Sequence, residues 1–208
     1  MRREVMAKDP AIVDVAAQHK WNARYQQVPH TQMPQAARVL SEYQHLLPTT
    51  GRALDLACGL GGNALLLAAR GLETWAWDIA DVALARLQTY ATRHGVTIHT
   101  EARDVAVHPP LSQHFAVIVV SRFLDRRSAP ALMQALTPGG LLFYQTLTQL
   151  TVGESPKPSN PAYLLAPQEL LQLFGSLHLV VYREEADLGD VTQGWRNEAL
   201  LIGQRPMP

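Results

Sequence analysis

Strand-like and helix-like segments alternate along most of this chain, and this alternation constrains the fold more than any other feature. Apolar runs predict seven strands, at 52–57, 73–77, 97–102, 115–120, 141–147, 177–184 and 197–203. Helical periodicity predicts helices at 35–47, 64–70, 81–94, 128–136 and 168–174. This pattern is typical of a parallel sheet covered by helices. We therefore predict an α/β fold that is Rossmann-like and doubly wound, with a mostly parallel seven-stranded sheet and an antiparallel edge strand.

The length of 208 residues suits one domain with a sizeable core. We expect a single domain over 1–208, in which residues 1–48 form a helical segment that covers the site and residues 49–208 form the core. Asn63 is predicted to cap the helix that follows it. The polar, proline-rich segment 151–162 is predicted to be a surface loop. Whether this loop is a lid, an interface or neither is left open.

The composition limits the partners and the compartment that we expect. The chain has 18 basic and 18 acidic side chains, whereas proteins that bind duplex nucleic acid usually carry a basic excess, so no nucleic-acid partner is expected. The sequence predicts neither a secretory signal nor a membrane span. The single cysteine, Cys58, suits a reducing compartment, and we expect a cytoplasmic protein. No metal site is predicted, and the oligomeric state is left open.

A glycine-rich turn follows the first predicted strand and precedes a predicted helix. Gly59, Gly61 and Ala64 fit the G-x-G-x-x-G/A pattern of dinucleotide-binding turns. Asp55 stands four positions before Gly59, where a carboxylate would repel a pyrophosphate and attract the ammonium group of an amino acid. The turn therefore favours a cofactor with an amino-acid moiety over a dinucleotide.

The run Asp55-x-Ala57-x-Gly59-x-Gly61 resembles the first signature of class I S-adenosylmethionine (SAM)-dependent methyltransferases. These enzymes usually have glycine where Ala57 stands. The resemblance implies the class I methyltransferase fold, SAM as the cofactor and S-adenosylhomocysteine as the product. It also implies that Asp55, Ala57, Gly59 and Gly61 bind the cofactor.

Further motifs narrow the resemblance to small enzymes grouped with the tellurite-resistance and thiopurine-type methyltransferases. These motifs are WNARY at 21–25, AWD at 76–78, and the proline-rich loop that leads into Tyr-Leu-Leu-x-Pro-x-Glu-Leu at 163–170. The resemblance extends over about 21–203, which is most of the chain.

Two further acids stand at the ends of predicted strands. Asp78 is placed to accept hydrogen bonds from the ribose hydroxyls of the cofactor, and Ile79 is placed to pack against its adenine. The resemblance implies that Asp104 binds the adenine amino group and that the backbone of Val105 lies near the ring. It also places the turn that begins at Ser121 beside the transferred methyl group, so Ser121 is predicted to contact the cofactor.

Three arginines follow the fourth predicted strand. Arginine is suited to carboxylates, phosphates and oxyanions, so we predict that Arg122 and Arg126 contact the substrate, with Arg127 a weaker candidate. The alternative is a solvated loop in which the arginines pair with Asp125.

The N-terminal segment carries Trp21, Arg24 and Tyr25, which are predicted to lie over the site and contact the substrate. Their aromatic faces could stabilise the sulfonium by cation–π attraction, or they could simply pack a terminal helix on the core. His30 and His108 are candidate general bases, although a lone histidine is more often a surface or packing residue.

The reaction that we predict is direct, in-line transfer of the SAM methyl group to a small-molecule acceptor, which would be an anion, a thiol or a reduced chalcogen. The turn after the fourth predicted strand lacks the Asn/Asp-Pro-Pro-Tyr/Phe motif of enzymes that methylate the nitrogen of adenine. A macromolecular methyltransferase is disfavoured by the balanced charge. A non-catalytic SAM-binding protein is not excluded by the sequence. An NAD(P)-dependent oxidoreductase would need a catalytic Tyr-x-x-x-Lys pair, but lysine occurs only at 8, 20 and 157.

Overall fold

The computed structural model describes residues 14–110, 114–153 and 157–208. Seven strands lie in one sheet: β1 Arg52–Leu56, β2 Glu73–Asp78, β3 Ile98–Ala102, β4 Phe115–Ser121, β5 Leu136–Leu147, β6 His178–Arg183 and β7 Glu198–Gln204. Their order across the sheet is β3-β2-β1-β4-β5-β7-β6. This arrangement confirms the predicted fold class.

The direction of the strands also follows the prediction. Strands β1 to β5 pair in parallel, and β7 pairs antiparallel with both β5 and β6. The antiparallel strand β7 therefore lies one position in from the β6 edge. The central strand β4 is buried over Val117–Val120 and matches the apolar pattern of a strand covered on both faces.

Six α-helices accompany the sheet in the described ranges: α1 Val15–Gln26, α2 Arg38–Glu42, α3 Gly62–Ala69, α4 Asp81–His94, α5 Ala129–Ala135 and α6 Glu169–Leu173. Short 3-10 turns span Gln44–Leu46, Arg126–Ser128 and Pro161–Tyr163. Buried side chains form clusters on both faces of the sheet, one that includes Ile118 and another that includes Val119. Between residues 14 and 208, apart from the two short gaps, no helix combines the length and the apolarity that crossing a membrane requires.

The helix that was predicted over 35–47 is wrong in its extent. Helix α2 covers only Arg38–Glu42, and a 3-10 turn follows it. The backbone N–H of Ala37 donates to Asn63 Oδ1 at 2.8 Å, and that of Val39 donates to Gln145 Oε1 at 2.8 Å. The side chain of Asn63 thus satisfies the N–H of Ala37, so the segment before α2 does not need to be helical, and Gln145 satisfies the N–H of Val39 in the first turn of α2.

The predicted capping role of Asn63 is also wrong. Asn63 is the second residue of α3, and the N-cap position belongs to Gly61, whose φ is 78°. The amide of Asn63 contacts three other segments instead.

Candidate cofactor and acceptor site

The candidate site lies where the chain order of the strands reverses. Strand β1 leads to β2 on one side, whereas β4, its other neighbour, leads to β5 on the opposite side. Open α/β sheets bind ligands in the crevice beyond the carboxyl ends of the strands at such a point. The predicted residues Asp55, Asp78 and Ser121 belong to the last two positions of β1, β2 and β4 respectively, so the fold brings them to this edge.

The glycine turn after β1 is held in left-handed backbone conformations. Ala57 and Gly59 both have φ of 54°, and Gly61 has φ of 78°. A residue with a Cβ is strained in this region, by roughly 1–2 kcal/mol, which explains why related enzymes usually carry glycine at the position of Ala57. The N–H of Gly59 donates to Asp78 Oδ2 at 2.7 Å, so the turn is fixed against the end of β2.

Asp55 lies beneath this turn and is completely buried. Its Oδ2 accepts a hydrogen bond of 3.0 Å from the N–H of Ala64, in the first turn of α3, and its Oδ1 accepts one of 3.1 Å from Asn63 Nδ2. Burial raises the pKa of Asp55 to about 7, although these hydrogen bonds favour the ionised form. The carboxyl group is therefore an internal acid at the N-terminus of α3. Its predicted contact with the cofactor ammonium stays a prediction.

Asn63 joins several parts of the site. Its Nδ2 also donates to Ser121 Oγ at 3.1 Å, and its Oδ1 accepts from the N–H of Ala37. One buried amide thus connects β1, β4 and the segment that precedes α2. A Cβ at the neighbouring Gly62 would lie 2.2 Å from the carbonyl oxygen of Gln35, so this segment packs directly on the start of α3.

Asp78 at the end of β2 is 5% exposed. Its Oδ1 accepts from the N–H of Ala80 at 2.8 Å and its Oδ2 accepts from the N–H of Gly59. Burial raises the pKa of Asp78, and the backbone donors oppose that shift. Each carboxylate oxygen has a second lone pair, which leaves acceptor capacity for the predicted ribose hydroxyls.

The residues predicted around the adenine follow the ends of β2 and β3. Ile79 is half-buried, and its carbonyl oxygen accepts from Gln18 Nε2 at 3.1 Å. Asp104 is half-buried, and its Oδ1 accepts from the N–H of Ala106 at 3.1 Å. Val105 is buried in the cluster that includes Trp77. The structure therefore brings these three residues to one end of the sheet, on the β2–β3 side.

Helix α1 lies over the glycine turn. The rings of Trp21 and Tyr25 stack with centroids 6.0 Å apart, and the Arg24 guanidinium lies over the Trp21 ring at 5.4 Å. A Cβ at Gly59 would lie 2.6 Å from Tyr25 Oη, so the phenol covers the turn. Burial and the nearby Asp78 raise the pKa of Tyr25, which keeps its hydroxyl protonated.

Arg86 of α4 holds the end of α1 in place, and sequence reasoning missed it. It is 7% exposed and donates to the carbonyl oxygens of Tyr25, Val28 and Pro29 at 2.8, 2.9 and 3.0 Å. An arginine on an otherwise amphipathic helix gives no sequence signal for such a role. The end of α1, which belongs to the N-terminal segment predicted to cover the site, is thus attached to α4. We call β2 and α4, which follow each other in the chain, the β2–α4 unit.

Arg122 lies on the other side of the crevice, directly after Ser121. Its φ is 54°, and its side chain is 77% exposed. Its Nε lies 3.6 Å from Glu198 Oε1, at the start of β7. Glu198 was not among the predicted site residues, because β7 is remote in sequence and only the sheet order brings it to this edge.

The remaining arginine candidates are engaged by the protein itself. The Arg126 guanidinium donates to both oxygens of Glu169 and to the carbonyl oxygens of Ala162 and Leu164. These contacts fasten the loop after β5 and give no support to a substrate contact at Arg126. Arg127 pairs with Asp125, as the solvated-loop interpretation expects.

Among the described residues, no contact places the candidate general bases His30 and His108 beside the glycine turn. His30 is exposed. His108 follows the turn that contains Asp104, and its Nε2 is buried without a hydrogen-bond partner among the residues that the structure describes. A general-base role for either residue stays a prediction.

The chain is similar to several known proteins. The sequence profile of a family described as tellurite resistance protein TehB matches residues 18–198. Hemagglutinin 1 of Eikenella corrodens is 28% identical over 148 residues, which cover 68% of this chain and 48% of that protein. A probable S-adenosyl-L-methionine-dependent methyltransferase TehB of Haemophilus influenzae is 25% identical over 139 residues, which cover 64% of this chain and 48% of that protein.

The chain therefore spans about half the length of these curated relatives. The crystal structure of TehB from Haemophilus influenzae aligns with a TM-score of 0.63 at 19% identity, over 90% of this chain and 66% of that one. Because the family profile covers most of the sequence, this chain belongs to the family described as tellurite resistance protein TehB, and the structural alignment shows that it shares the fold.

Proposed function

We propose that this protein binds SAM at the crevice between β1 and β4 and transfers its methyl group to a small-molecule acceptor by in-line displacement. The observation that carries this proposal is the pair of buried carboxyl groups, Asp55 and Asp78, on either side of the glycine turn. Burial raises the pKa of both acids, because an ionised carboxylate is unfavourable away from water. A cationic ligand beside them would therefore stabilise their ionised forms. SAM carries two such cationic groups, an ammonium and a sulfonium.

The same geometry disfavours a dinucleotide cofactor. Pyrophosphates bind at helix N-termini because the first backbone N–H groups are free to donate. Here the N-terminus of α3 already holds an acid, since the N–H of Ala64 donates to Asp55. A pyrophosphate would meet a buried carboxyl group at the place where it needs a donor.

In this proposal the residues on the β1–β2–β3 side bind and orient the cofactor. The turn from Ala57 to Gly61 holds the methionine moiety, and Asp78 accepts the ribose hydroxyls. The adenine lies between Ile79 and the turn of Asp104 and Val105. Trp21 and Tyr25 cover the cofactor and exclude water, while Arg24 lies at the exposed rim of the cover.

The acceptor approaches from the β4 side, past Ser121 and Arg122. SAM supplies an electrophilic methyl group, and the protein mainly aligns the acceptor with it. Alignment alone can lower a barrier by roughly 7–11 kcal/mol at best. Arg122 is suited to an anionic group of the acceptor because its guanidinium is exposed and only loosely paired.

We also propose a cytoplasmic location, because Cys58 is the single cysteine and a free thiol, and a chain that cannot form an internal disulfide suits a reducing compartment. Cell fractionation with an antibody to the protein tests this part of the proposal. Recovery in the periplasmic or extracellular fraction would contradict it.

The central experiment is a calorimetric titration with SAM, S-adenosylhomocysteine, NAD and NADP. We expect saturable binding of the first two and no heat from the dinucleotides. Asp187→Asn, an exposed acid far from the turn in sequence, serves as the charge-matched control for variants of Asp78. Saturable binding of NAD or NADP alone would replace the proposal with an oxidoreductase.

A further inference from the structure

A polar cluster lies at the carboxyl edge of the sheet, where β4, β5 and β7 run side by side. We call Arg122, Gln145 and Glu198 the acceptor-side cluster. Arg122 directly follows β4, Gln145 lies in β5, and Glu198 begins β7. Gln145 is 3% exposed, its Nε2 donates to Glu198 Oε2 at 2.5 Å, and its backbone carbonyl oxygen accepts the N–H of Arg122 at 2.9 Å. One buried residue therefore holds the two charged residues beside each other.

The cluster adjoins the glycine turn through the segment that leads into α2. The N–H of Ala37 donates to Asn63 Oδ1 at 2.8 Å. The N–H of Val39, two residues later, donates to Gln145 Oε1 at the same distance. Asn63 also donates to Ser121 Oγ, and Ser121 pairs with Gln145 across β4 and β5. Both connections bring the cluster next to the crevice of the proposed cofactor.

The two charged side chains of the cluster do not saturate each other. Arg122 Nε and Glu198 Oε1 are 3.6 Å apart, which is longer than a charge-assisted hydrogen bond of about 2.7–2.9 Å. Within the part of the chain that the structure describes, Glu198 accepts a hydrogen bond at Oε2 but none at Oε1. The Arg122 side chain is 77% exposed and that of Glu198 is 14% exposed. An accessible cation therefore adjoins a fixed carboxylate that has acceptor capacity left.

The opposite charges of this pair favour a ligand that carries both signs. A plain anion bound to Arg122 would lie beside the Glu198 carboxylate and be repelled by it. A plain cation bound to Glu198 would be repelled by Arg122 in the same way. A molecule whose ammonium and carboxylate groups are joined by a short carbon chain would instead find an opposite charge for each group.

We propose that the acceptor-side cluster binds an amino acid, with its ammonium group donating to Glu198 Oε1 and its carboxylate accepting from Arg122. This inference rests on the proposed methyl transfer at the neighbouring crevice, and it names the class of acceptor. An ammonium group has no lone pair that could attack a methyl carbon. The two contacts therefore orient the acceptor, and the methylated atom lies elsewhere in the molecule.

The test is calorimetry on the S-adenosylhomocysteine complex, which measures binding of acceptor probes without turnover. One set of matched probes is β-alanine, propionate and propylamine, and a second set is phenylalanine, 3-phenylpropionate and phenethylamine. The first compound of each set carries both charges at about pH 7, and the other two carry one charge each. We expect at least one of the amino acids to bind at least about tenfold more tightly than both of its singly charged counterparts.

Two variants assign this preference to the named groups. Glu198→Gln should weaken binding of the amino acid about tenfold and strengthen binding of the matched acid, because Arg122 then has no negative neighbour. Arg122→Gln should weaken the amino acid by a similar factor and strengthen the matched amine. Shifts of opposite sign cannot come from a folding defect, which would weaken all probes. Glu42→Gln and Arg52→Gln are the controls and should leave every affinity unchanged, because these side chains form ion pairs outside the cluster.

Amino acids that bind the wild-type complex no more tightly than their singly charged counterparts would overturn the inference. A Glu198→Gln variant that weakens all three compounds of a set equally would overturn it too. In both cases, binding of S-adenosylhomocysteine would leave the proposed methyl transfer standing. Absence of S-adenosylhomocysteine binding to the wild type would instead remove the proposed function and this inference with it.

Discussion

Asn63 Nδ2 donates a hydrogen bond of 3.1 Å to Asp55 Oδ1, so a side chain of α3 stabilises the buried carboxyl group beneath the glycine turn. The same nitrogen reaches Ser121 Oγ, which lies at the end of β4. The two halves of the crevice are therefore joined directly by one amide.

Replacing Asn63 by alanine should destabilise the fold by about 1–3 kcal/mol, because Asp55 and the N–H of Ala37 each lose a buried partner. Urea unfolding measures this loss. Gln172→Ala, at an exposed position of α6, is the control and should change stability little. An equally stable Asn63→Ala variant would contradict the importance of this amide.

The raised pKa of Asp55 predicts that stability falls as pH rises towards 7. The carboxyl group is protonated below about 7 in the folded protein but only below about 4 when unfolded, so the folded state binds more protons in that window. The free energy of unfolding should therefore decrease by up to about 1.4 kcal/mol per pH unit from this group.

Unfolding measured from pH 4 to 8 tests this prediction, with Asp55→Asn as the comparison. The variant should show a shallower slope but not a flat one, because burial raises the pKa of Asp78 in the same direction. Identical slopes for wild type and variant would show that Asp55 is ionised throughout.

Asp78→Asn should weaken SAM binding by about tenfold or more, because asparagine has one oxygen fewer than aspartate. That oxygen would no longer accept hydrogen bonds from the ribose hydroxyls or from the N–H groups of Gly59 and Ala80. Calorimetry with SAM gives the dissociation constant, and circular dichroism checks that the variant is folded. A folded Asp78→Asn protein with wild-type affinity would remove Asp78 from the cofactor site.

Arg86→Ala should release the end of α1, since three backbone carbonyls lose their donor. Hydrogen exchange read by mass spectrometry should then be faster over residues 15–29 and unchanged in β4. Slow exchange of α1 in this variant would mean that other contacts hold the cover.

Ala57→Gly should stabilise the protein by up to about 1 kcal/mol, because glycine adopts the left-handed conformation of Ala57 without strain. Thermal unfolding of the variant measures the gain. A lower melting temperature would mean that the Ala57 methyl contributes packing that outweighs the strain.

Features that are encoded locally could be predicted from the sequence. The strands and the glycine turn follow from short-range patterns, and the family profile confirms the predicted relation to the tellurite-resistance proteins. The extent of α2 and the role of Asn63 could not be predicted, because they depend on hydrogen bonds between residues 26 and 106 positions apart. Glu198 was missed for the same reason, since only the position of β7 beside β5 brings it to the crevice.

The attachment of α1 to Arg86 has a mechanical consequence. Helix α1 is fastened to the β2–α4 unit, which also supplies Asp78, so the cover and the proposed ribose-binding acid belong to one half of the crevice. Arg122 and Glu198 belong to the other half. Because β1 and β4 pair within one sheet, the two halves cannot rotate as separate bodies, so exchange of the proposed cofactor would require α1 to lift from the glycine turn while the acceptor side stays in place.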